Sequence, residues 1–463
     1  MERLNSIVLP SAEYLRGKVK TGDLTVFLAE QRGLVFDPKT GVSLLADKAF
    51  CHRLMHGNPS EDQLFKLVQR GMAEYGGRKM PVCNQSCEIR PNFFLIDLTK
   101  ACNLACRYCI RKEYPEGHED SVVTIERLLE ICGYIEDHVK REKISAFTIQ
   151  PWGGEPLLEL QKIIAIRQFF EERHLHPAIR FVTNGTLLDE KNLGLLKQYD
   201  LEFSISLDGD REINDRQRVD HSGTGSYDRI AKGIRTVRET GYPVSTVTTI
   251  TGESIKEADR ILEHLAVDLG IESCKLNFVN IAKEDRLHIE NAEVAGYFEK
   301  IIRKLIDLNK RGYRIVEGNV RQRVLNLLER NSESICLSAG CKGGRRLISF
   351  DFYGNIYPCE LIGIQDVRLG SIHSRKTLNE LISDAETCNP YFAEKTDGRC
   401  KACPWNYYCR GGCTSAILIQ KKSGCKTDAE NCTVNHMLYP LLIKLILEDP
   451  KQAEVLAGKR IFV

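Results

Sequence analysis

Three cysteines are spaced so that they can hold an iron–sulfur cluster. Cys102, Cys106 and Cys109 come directly after the apolar run 93–98, which has the length and flanks of a buried strand. In a loop leaving a strand, three thiolates at this spacing can wrap one face of a cubane cluster, whereas an electron-transfer cluster uses four. The next cysteine, Cys132, lies within an amphipathic helical pattern. The sequence therefore predicts a cluster with one iron open to an exogenous ligand.

The composition limits the classes of function. The chain has 463 residues with 18 cysteines, 42% apolar residues and a formal net charge of +2. This length supports two or three domains, and the nearly neutral charge does not indicate a nucleic-acid partner. The first residues lack the apolar segment of a secretory signal, and no apolar run approaches the roughly 20 residues of a membrane helix. We therefore expect a cytoplasmic protein without a membrane partner, whose cysteines serve metal or redox chemistry.

Residues 92–312 alternate between strand and helix patterns. Six strand patterns, each followed by a helical pattern, predict an α/β fold with a parallel sheet, laid open or curled into a partial (β/α)6 TIM-like barrel. The predicted strands are 93–98, 146–150, 179–182, 202–207, 244–250 and 274–279. Ligands bind at the carboxyl ends of such strands. The unusual residues fall at these ends, in the cysteine loop, Trp152-Gly153-Gly154-Glu155-Pro156, Thr183-Asn184-Gly185 and Ser206-Leu207-Asp208-Gly209.

The regions on either side of this core have different patterns. Residues 1–80 show the patterns of short strands, a hairpin and helices, which predict a winged-helix-like α+β domain. Peptide docking is favoured there over DNA binding because its second helix has no basic stripe. Residues 336–435 are rich in cysteine and have little periodic apolar pattern, apart from one predicted hairpin at 347–357. Such a region needs metal centres or crosslinks to stabilise its fold. The predicted boundaries are 1–80 for the winged-helix-like domain, 81–91 for a linker, 92–312 for the barrel, 313–335 for a bridging region, 336–435 for the loop-rich iron–sulfur domain and 436–463 for a C-terminal helix.

The first two motifs together resemble those of the radical S-adenosylmethionine (SAM) enzymes. The resemblance is carried by Cys102-x3-Cys106-x2-Cys109 after the first strand and by Gly153-Gly154-Glu155-Pro156 after the second. It implies that the three thiolates hold a 4Fe-4S cluster and that the amino and carboxylate groups of SAM chelate its open iron. It further implies that an electron from the cluster cleaves SAM to a 5'-deoxyadenosyl radical, which abstracts a hydrogen atom.

The resemblance also implies a set of contacts with SAM. Glu155 is expected to receive the ammonium group of SAM, Tyr108 to lie beside the adenine, and Arg218 to pair with the carboxylate. Ser206 and Asp208 are expected at the ribose. From the residues alone, Asp208 has the alternative of a turn-forming role and Arg218 that of a solvated charge. The full expected set is Tyr108, Gly153, Gly154, Glu155, Asn184, Ser206, Asp208 and Arg218.

The C-terminal cysteines resemble the SPASM extension of radical SAM maturases. The pattern is Cys341-x12-Gly354-x4-Cys359, then Cys400-x2-Cys403-x5-Cys409-x3-Cys413, and Cys432. The resemblance implies two auxiliary 4Fe-4S clusters, one held by Cys336, Cys341, Cys359 and Cys413, and the other by Cys400, Cys403, Cys409 and Cys432. Cys425 is an alternative to Cys432, and without Cys336 the first auxiliary cluster would have an open corner. A zinc site made of four thiolates remains the alternative interpretation.

One acidic residue in this region is a candidate catalytic base. Glu360 follows Cys359 directly, at the place where family members that oxidise a residue of another protein carry an aspartate near the substrate. Glutamate is a departure from that pattern, and a surface role for Glu360 is the alternative.

The order of elements in residues 1–80 is similar to that of leader-peptide recognition units. We therefore expect a radical SAM/SPASM peptide maturase, which acts on a ribosomal precursor peptide and takes electrons from a flavodoxin- or ferredoxin-type reductant. Its expected cofactors are SAM and three 4Fe-4S clusters, and its expected product is an intramolecular thioether crosslink. Carbon–carbon crosslinking and sulfatase-type formylglycine maturation are alternatives, and a non-enzymatic iron–sulfur or zinc scaffold is another.

Overall fold

The computed structural model describes most of the chain. Residues 81–87, within the predicted linker, and Cys425 lie outside the described part. The described residues are 5–8, 13–14, 19–20, 24–57, 59–60, 63–64, 66–67, 70, 72–75, 78–79, 88–113, 122–281, 284–329, 334–337, 340–362, 364–393, 395, 398–419 and 428–461.

Among its described residues, the N-terminal region contains two small antiparallel sheets and the helix α1, with further helical residues at 63–64 and 66–67. Its elements are β1 Asn5–Val8, β2 Glu13–Tyr14, β3 Val19–Lys20, β4 Thr25–Leu28, β5 Arg32–Asp37, β6 Val42–Asp47, α1 Lys48–Met55, β7 Glu74–Tyr75 and β8 Arg78–Lys79. The first sheet has the order β1-β4-β5-β6 and the second the order β2-β3-β7-β8. Gly41 closes the predicted hairpin between β5 and β6 with a φ of +68°, a conformation that glycine adopts without strain. The first sheet and α1 enclose a small apolar core of their own.

Six adjacent parallel strands form the centre of the molecule and confirm the predicted partial barrel. They are β9 Phe93–Thr99, β10 Thr148–Gly153, β11 Ala178–Thr183, β12 Glu202–Ser206, β13 Ser245–Ile250 and β14 Ser273–Phe278. The helices that pack around them are α2 Ile125–Arg141, α3 Leu160–Glu171, α4 Glu190–Gln198, α5 Arg211–Gln217, α6 Tyr227–Glu239, α7 Ala258–Glu263 and α8 Asn291–Lys310. Because both faces of β9 are covered, six of its seven residues are buried.

The sheet continues beyond residue 312, where the sequence predicts the end of the barrel. Four further strands, β15 Val316–Glu317, β16 Leu347–Phe350, β17 Asn355–Tyr357 and β18 Gly370–Ser371, complete the order β15-β14-β13-β12-β11-β10-β9-β16-β17-β18. The predicted hairpin at 347–357 is β16 and β17, and β16 pairs in parallel with β9. An unpaired edge strand leaves its backbone groups without partners. The cysteine-rich region therefore covers the open edge of the barrel and is joined to it by backbone hydrogen bonds.

The C-terminal region is largely short helices. They are α9 Gly318–Glu329, α10 Leu378–Ala385, α11 Gly398–Lys401, α12 Asn406–Cys409, α13 Thr414–Ile419, α14 Ala429–Glu448 and α15 Pro450–Ala457. The predicted C-terminal helix begins earlier than residue 436, because the Asp428 carboxylate caps α14 by accepting a hydrogen bond from Asn431 N at 3.0 Å. Cys432 thus lies in the first turn of α14. No helix in the described part has the length and apolarity needed to cross a bilayer.

Aromatic side chains join the N-terminal sheet to the C-terminal region. Trp405, which lies between Cys403 and Cys409 in the sequence, stacks on Phe27 of β4 with ring centroids 6.1 Å apart and on Tyr439 of α14 at 4.9 Å. In the same loop, Tyr408 Oη donates a hydrogen bond to Gly41 O at 2.6 Å. The N-terminal unit therefore packs directly on a loop that carries predicted cluster ligands.

We expect Trp405→Ala to loosen this contact. Trp405 is 3% exposed, and truncating a buried tryptophan costs about 3–5 kcal/mol. The melting temperature should fall in differential scanning calorimetry, and proteolysis of residues 24–57 should become faster. Tyr353→Ala is the matched control, because this aromatic side chain is 55% exposed. Equal stability of the two variants would contradict the role of the stack.

Candidate active site

The predicted cluster cysteines lie together at the carboxyl end of β9. Cys102, Cys106 and Cys109 occupy the loop between β9 and the 3-10 helix Ile110–Glu113. Burial, together with the nearby charges of Glu155, Cys106 and Cys109, raises the pKa of the Cys102 thiol to about 11. Because thiols bind metal as thiolates, a bound cation would have to drive their deprotonation. The three cysteines therefore lie in one loop, where the charges of Cys106 and Cys109 act on Cys102.

Two glycines hold the end of β10 against this loop. Gly154 N donates a hydrogen bond to Thr99 O at 2.7 Å, and Glu155 N donates one to Ala101 O at 2.9 Å. A Cβ atom on Gly153 would lie 2.3 Å from Thr99 O, and one on Gly154 would lie 2.1 Å from Ala101 O. The two glycines are therefore needed where β10 meets the cysteine loop, because any side chain would force the two backbones apart.

Glu155 connects the ends of β10 and β11. It is 1% exposed, and its carboxylate accepts hydrogen bonds from Leu157 N at 3.0 Å, Thr183 Oγ1 at 2.6 Å and Asn184 N at 2.7 Å. Burial raises its pKa, and these donors act in the opposite direction. A carboxylate has about four acceptor positions. Three are filled by the protein, so one acceptor position remains for a donor such as an ammonium group.

Asn184 fixes the cysteine loop from the end of β11. Its Nδ2 donates to Asn103 Oδ1 at 2.7 Å, and its Oδ1 accepts from Thr186 Oγ1 at 2.7 Å. Asn103 Nδ2 in turn donates to Thr186 Oγ1 at 2.8 Å. Asn103 and Thr186 were missed in the sequence, although Asn103 stands directly after Cys102. This amide network holds the loop in one conformation.

The residues predicted to contact the adenine, ribose and carboxylate of SAM form one hydrogen-bonded chain. Arg218 Nη1 donates to Tyr108 Oη at 2.6 Å, and Tyr108 Oη donates to Asp208 Oδ2 at 2.5 Å. Thr249 N donates to Asp208 Oδ1 at 2.9 Å. Asp208 is fully buried, which raises its pKa, and Arg218 is also buried, so the alternative of a solvated arginine is wrong. Ser206 is the last residue of β12, two positions before Asp208, and it is half-buried.

Buried polar atoms without partners adjoin the cysteine loop. Within the described residues, Arg218 Nε and both amide atoms of the Gln217 side chain have no hydrogen-bond partner. Arg107 N donates to Gln217 O at 2.9 Å and Ala105 N to Val219 O at 2.7 Å, so this segment lies against the loop. Leaving such groups unsatisfied costs about 1–3 kcal/mol each. A polar ligand with a carboxylate, such as SAM, fits these atoms, and Gln217 is a candidate contact that sequence reasoning missed.

Sequence analysis also missed an ion pair that joins β9 to the segment after the cysteine loop. Asp97, the only charged residue within the apolar run of β9, is buried and pairs with Arg111 Nη2 at 2.9 Å. The Arg111 guanidinium lies 4.7 Å from the ring centroid of Trp152 at the end of β10. Burial raises the pKa of Asp97 to about 6, against the effect of Arg111. The sequence did contain a signal for this ion pair, because Asp97 is a charged residue within a predicted buried strand.

The first predicted auxiliary set lies together. Burial raises the pKa values of the Cys359 and Cys413 thiols, and the nearby charges of Cys336 and Cys341 also raise both. Cys341 Sγ is 3.3 Å from Tyr391 Oη, and Cys336 is exposed. The four thiols therefore come from separate segments of the chain and meet beside β17.

The second predicted auxiliary set lines a cavity. The cavity residues include the four thiols of the predicted set, which are Cys400, Cys403, Cys409 and Cys432. His436 Nε2 lies 3.5 Å from Cys403 Sγ at the exposed side. Four thiols around one cavity are the arrangement expected for the second auxiliary cluster.

Glu360 lies between the first auxiliary set and the barrel. It is half-buried, and burial raises its pKa, while the cation of Lys275 on β14 lowers it. Its charge also acts on Cys336 and Cys359. A carboxylate at this position is near both the proposed metal site and a barrel strand.

We expect Gly154→Ala to impair iron binding at the cysteine loop, because the added methyl group would collide with Ala101 O. With three 4Fe-4S clusters in the chain, iron content should fall by about a third, from about twelve irons per chain. Iron is to be measured after anaerobic reconstitution.

Gly133→Ala is the matched control. Gly133 lies within α2, and a Cβ atom there would meet nothing within 4 Å. The change should leave iron content unaltered and increase stability by up to about 1 kcal/mol. Full iron content in the Gly154→Ala variant would contradict the structural role given to this glycine.

Comparison with known proteins connects this geometry to a superfamily. Residues 96–265 match the family model described as the radical SAM superfamily. A cysteine-type anaerobic sulfatase-maturating enzyme of Clostridium novyi (strain NT) is 26% identical over 331 residues, covering 67% of this chain and 84% of the relative. A serine-type anaerobic sulfatase-maturating enzyme of Klebsiella aerogenes is 26% identical over 329 residues, covering 68% and 78%.

Solved structures share the fold. The structure described as native anSMEcpe with bound AdoMet and Cp18Cys peptide has a TM-score of 0.66 at 18% identity, over 80% of this chain and 99% of that chain. Streptococcus suis SuiB bound to precursor peptide SuiA has a TM-score of 0.55 at 14% identity, over 86% and 96%. The sequence motif, the parallel barrel and the clustered thiols agree with these matches. This chain therefore contains the domain of a radical SAM enzyme at residues 96–265, and over most of its length it shares the fold of these two structures.

Proposed function

We propose that this enzyme is a peptide maturase that installs an intramolecular thioether crosslink in a ribosomal precursor peptide. The observation that carries the proposal is the N-terminal sheet, which packs through Trp405 and Tyr408 on the loop of the second auxiliary set. A sheet with a free edge is a docking surface for an extended peptide. The SuiB structure, which shares the fold over 86% of this chain, is bound to a precursor peptide.

The radical SAM domain determines the cofactors and the chemistry that they supply. The cofactors are SAM and a 4Fe-4S cluster, which when bound supply a 5'-deoxyadenosyl radical that abstracts a hydrogen atom. Cys102, Cys106 and Cys109 would hold this cluster. Glu155 would accept a hydrogen bond from the ammonium group of SAM, and the free Nε–H of Arg218 would donate to its carboxylate. Because these side chains are buried, water is kept from the reacting atoms.

A thioether crosslink removes two hydrogens from the peptide. A carbon atom would lose one as a hydrogen atom and the thiol would lose the other as a proton, and the remaining electron would need an acceptor, which an auxiliary cluster held by the C-terminal thiols would supply. Glu360 is the proposed acceptor of the proton, because it adjoins Cys359 and also faces Lys275 on β14. An external one-electron donor must start each turnover, and we propose a flavodoxin- or ferredoxin-type protein for that role.

The proposed docking site for the leader is the outer edge of β6. β6 ends the first sheet, and no strand pairs with its outer side among the described residues. Leu44, Leu45 and Ala46 are half-buried there, which leaves apolar surface beside the open backbone groups. Strand addition would hold the core of the peptide near the barrel and raise its effective concentration.

Sulfatase-type maturation is the second candidate function. It is favoured by the two sulfatase-maturating relatives, each matching at 26% identity. These matches cover 67% and 68% of this chain. The leader-docking proposal gives the N-terminal sheet a role that sulfatase-type maturation does not require.

Mass spectrometry of a cysteine-containing precursor distinguishes the products. After anaerobic incubation with SAM and reductant, we expect the peptide to lose two hydrogens, retain its sulfur and resist thiol alkylation. Conversion of cysteine to an aldehyde would instead remove the sulfur and make the peptide reactive with hydrazides. Loss of two hydrogens with the thiol still free would point to a carbon–carbon crosslink and contradict the thioether.

A competition experiment tests the leader site without disturbing the fold. The isolated leader, added in excess, should inhibit modification of the full precursor, because both would pair with the same edge. It should not inhibit modification of a core peptide that lacks the leader. Equal rates for the full precursor with and without added leader would contradict docking.

A further inference from the structure

A buried arginine lies behind the second auxiliary set. Arg323, on the inner face of α9, is 4% exposed. It donates three hydrogen bonds to neutral acceptors: from Nε to Asn435 Oδ1 at 3.3 Å, from Nη1 to Asn319 O at 3.2 Å and from Nη2 to Asn431 Oδ1 at 3.5 Å. Arginine is charged at any ordinary pH, so this is a full positive charge inside the protein.

No carboxylate in the described part of the chain pairs with this charge. The carboxylate that acts on Arg323 most is Glu317. Its oxygens are taken by backbone donors, Leu276 N at 2.9 Å, Asn319 N at 3.1 Å and Val320 N at 2.7 Å. Burial accordingly lowers the pKa of Arg323. A buried cation that lacks a contacting anion costs free energy unless an anionic group is bound nearby.

Asn435 links this charge to a cluster thiol. Because arginine only donates hydrogen bonds, Asn435 must turn its Oδ1 towards Arg323, and its NH2 group then points the other way. On that side Asn435 lines the thiol cavity together with Cys409. Arg323 therefore fixes the amide that faces the metal site.

We propose that Arg323 is the counter-charge of the second auxiliary cluster and that it orients Asn435 as the N–H donor to Cys409. This inference rests on the proposed function, because it requires a cluster held by the four thiolates. Such a cluster carries net negative charge, which increases on reduction. A fixed cation and an N–H···S hydrogen bond both stabilise the reduced form and raise the reduction potential. Arg323 is thus a positioning residue that keeps this site reducible.

The test is an EPR-monitored redox titration of the reconstituted full chain. The signal of the second auxiliary cluster is identified by its loss in the Cys400→Ala variant. Arg323→Met removes the charge at similar length, and Asn435→Asp keeps an acceptor for Arg323 while removing the donor to Cys409. Both variants should shift the midpoint to a more negative potential. Arg321→Met is the matched control, because Arg321 lies on the same helix, is exposed and donates to Ala457 O at 3.1 Å.

A second measurement separates the electrostatic role from a merely structural one. In chelator-treated full-length chain, Arg323→Met should raise the melting temperature, because it removes an uncompensated buried charge. If Arg323 served only as a structural anchor, the melting temperature of the Arg323→Met variant would fall instead. Unchanged midpoints in both Arg323→Met and Asn435→Asp, with iron retained, would overturn the inference. Absence of the second auxiliary signal from the unaltered chain would instead refute the cluster on which the proposed function depends.

Discussion

The active site depends on the close approach of two backbones at the carboxyl ends of β9 and β10. The hydrogen bonds from Gly154 N to Thr99 O and from Glu155 N to Ala101 O fix where the cysteine loop begins. They form only because neither Gly153 nor Gly154 has a side chain. Glu155 then extends the contact to β11. One constraint, the absence of two Cβ atoms, thus positions three thiols, a carboxylate and the amide network of Asn184.

The rest of the chain is attached to this centre by ordinary secondary structure and packing. β16 pairs with β9, so the region that carries the auxiliary thiols is a continuation of the barrel sheet. Trp405 and Tyr408 in turn tie that region to the N-terminal sheet. The proposed leader-docking unit is therefore not a detachable module. Removing residues 1–80 would uncover the loop between Cys403 and Cys409 as well as remove the docking edge.

Sequence reasoning predicted the elements whose causes are local. The six barrel strands and the hairpin of β16 and β17 follow from apolar runs and turn residues, and they are confirmed. The sequence could not show that β16 pairs with β9, because such pairing joins residues more than 250 positions apart. It also missed Gln217 and Arg323. Both are polar residues on helices, with no distinguishing feature in the sequence. Among the described residues, the buried amide atoms of Gln217 have no hydrogen-bond partner, and the buried charge of Arg323 has neutral acceptors in place of a carboxylate.

Three residues that were each predicted to contact a different part of SAM are joined in one hydrogen-bonded group. Tyr108, Asp208 and Arg218 were assigned separately to three parts of SAM, yet they are hydrogen-bonded to one another. Their proposed contacts with SAM therefore involve one preorganised unit, in which moving any member displaces the others. Such preorganisation is what a reactive intermediate requires, because the groups around it need not rearrange during the reaction.

The most direct test of the account is the iron content and SAM cleavage of the anaerobically purified full-length chain. We expect a brown protein with about twelve irons per chain, corresponding to three 4Fe-4S clusters. On reduction in the presence of SAM it should release 5'-deoxyadenosine. A colourless protein that contains zinc and leaves SAM intact would contradict the account.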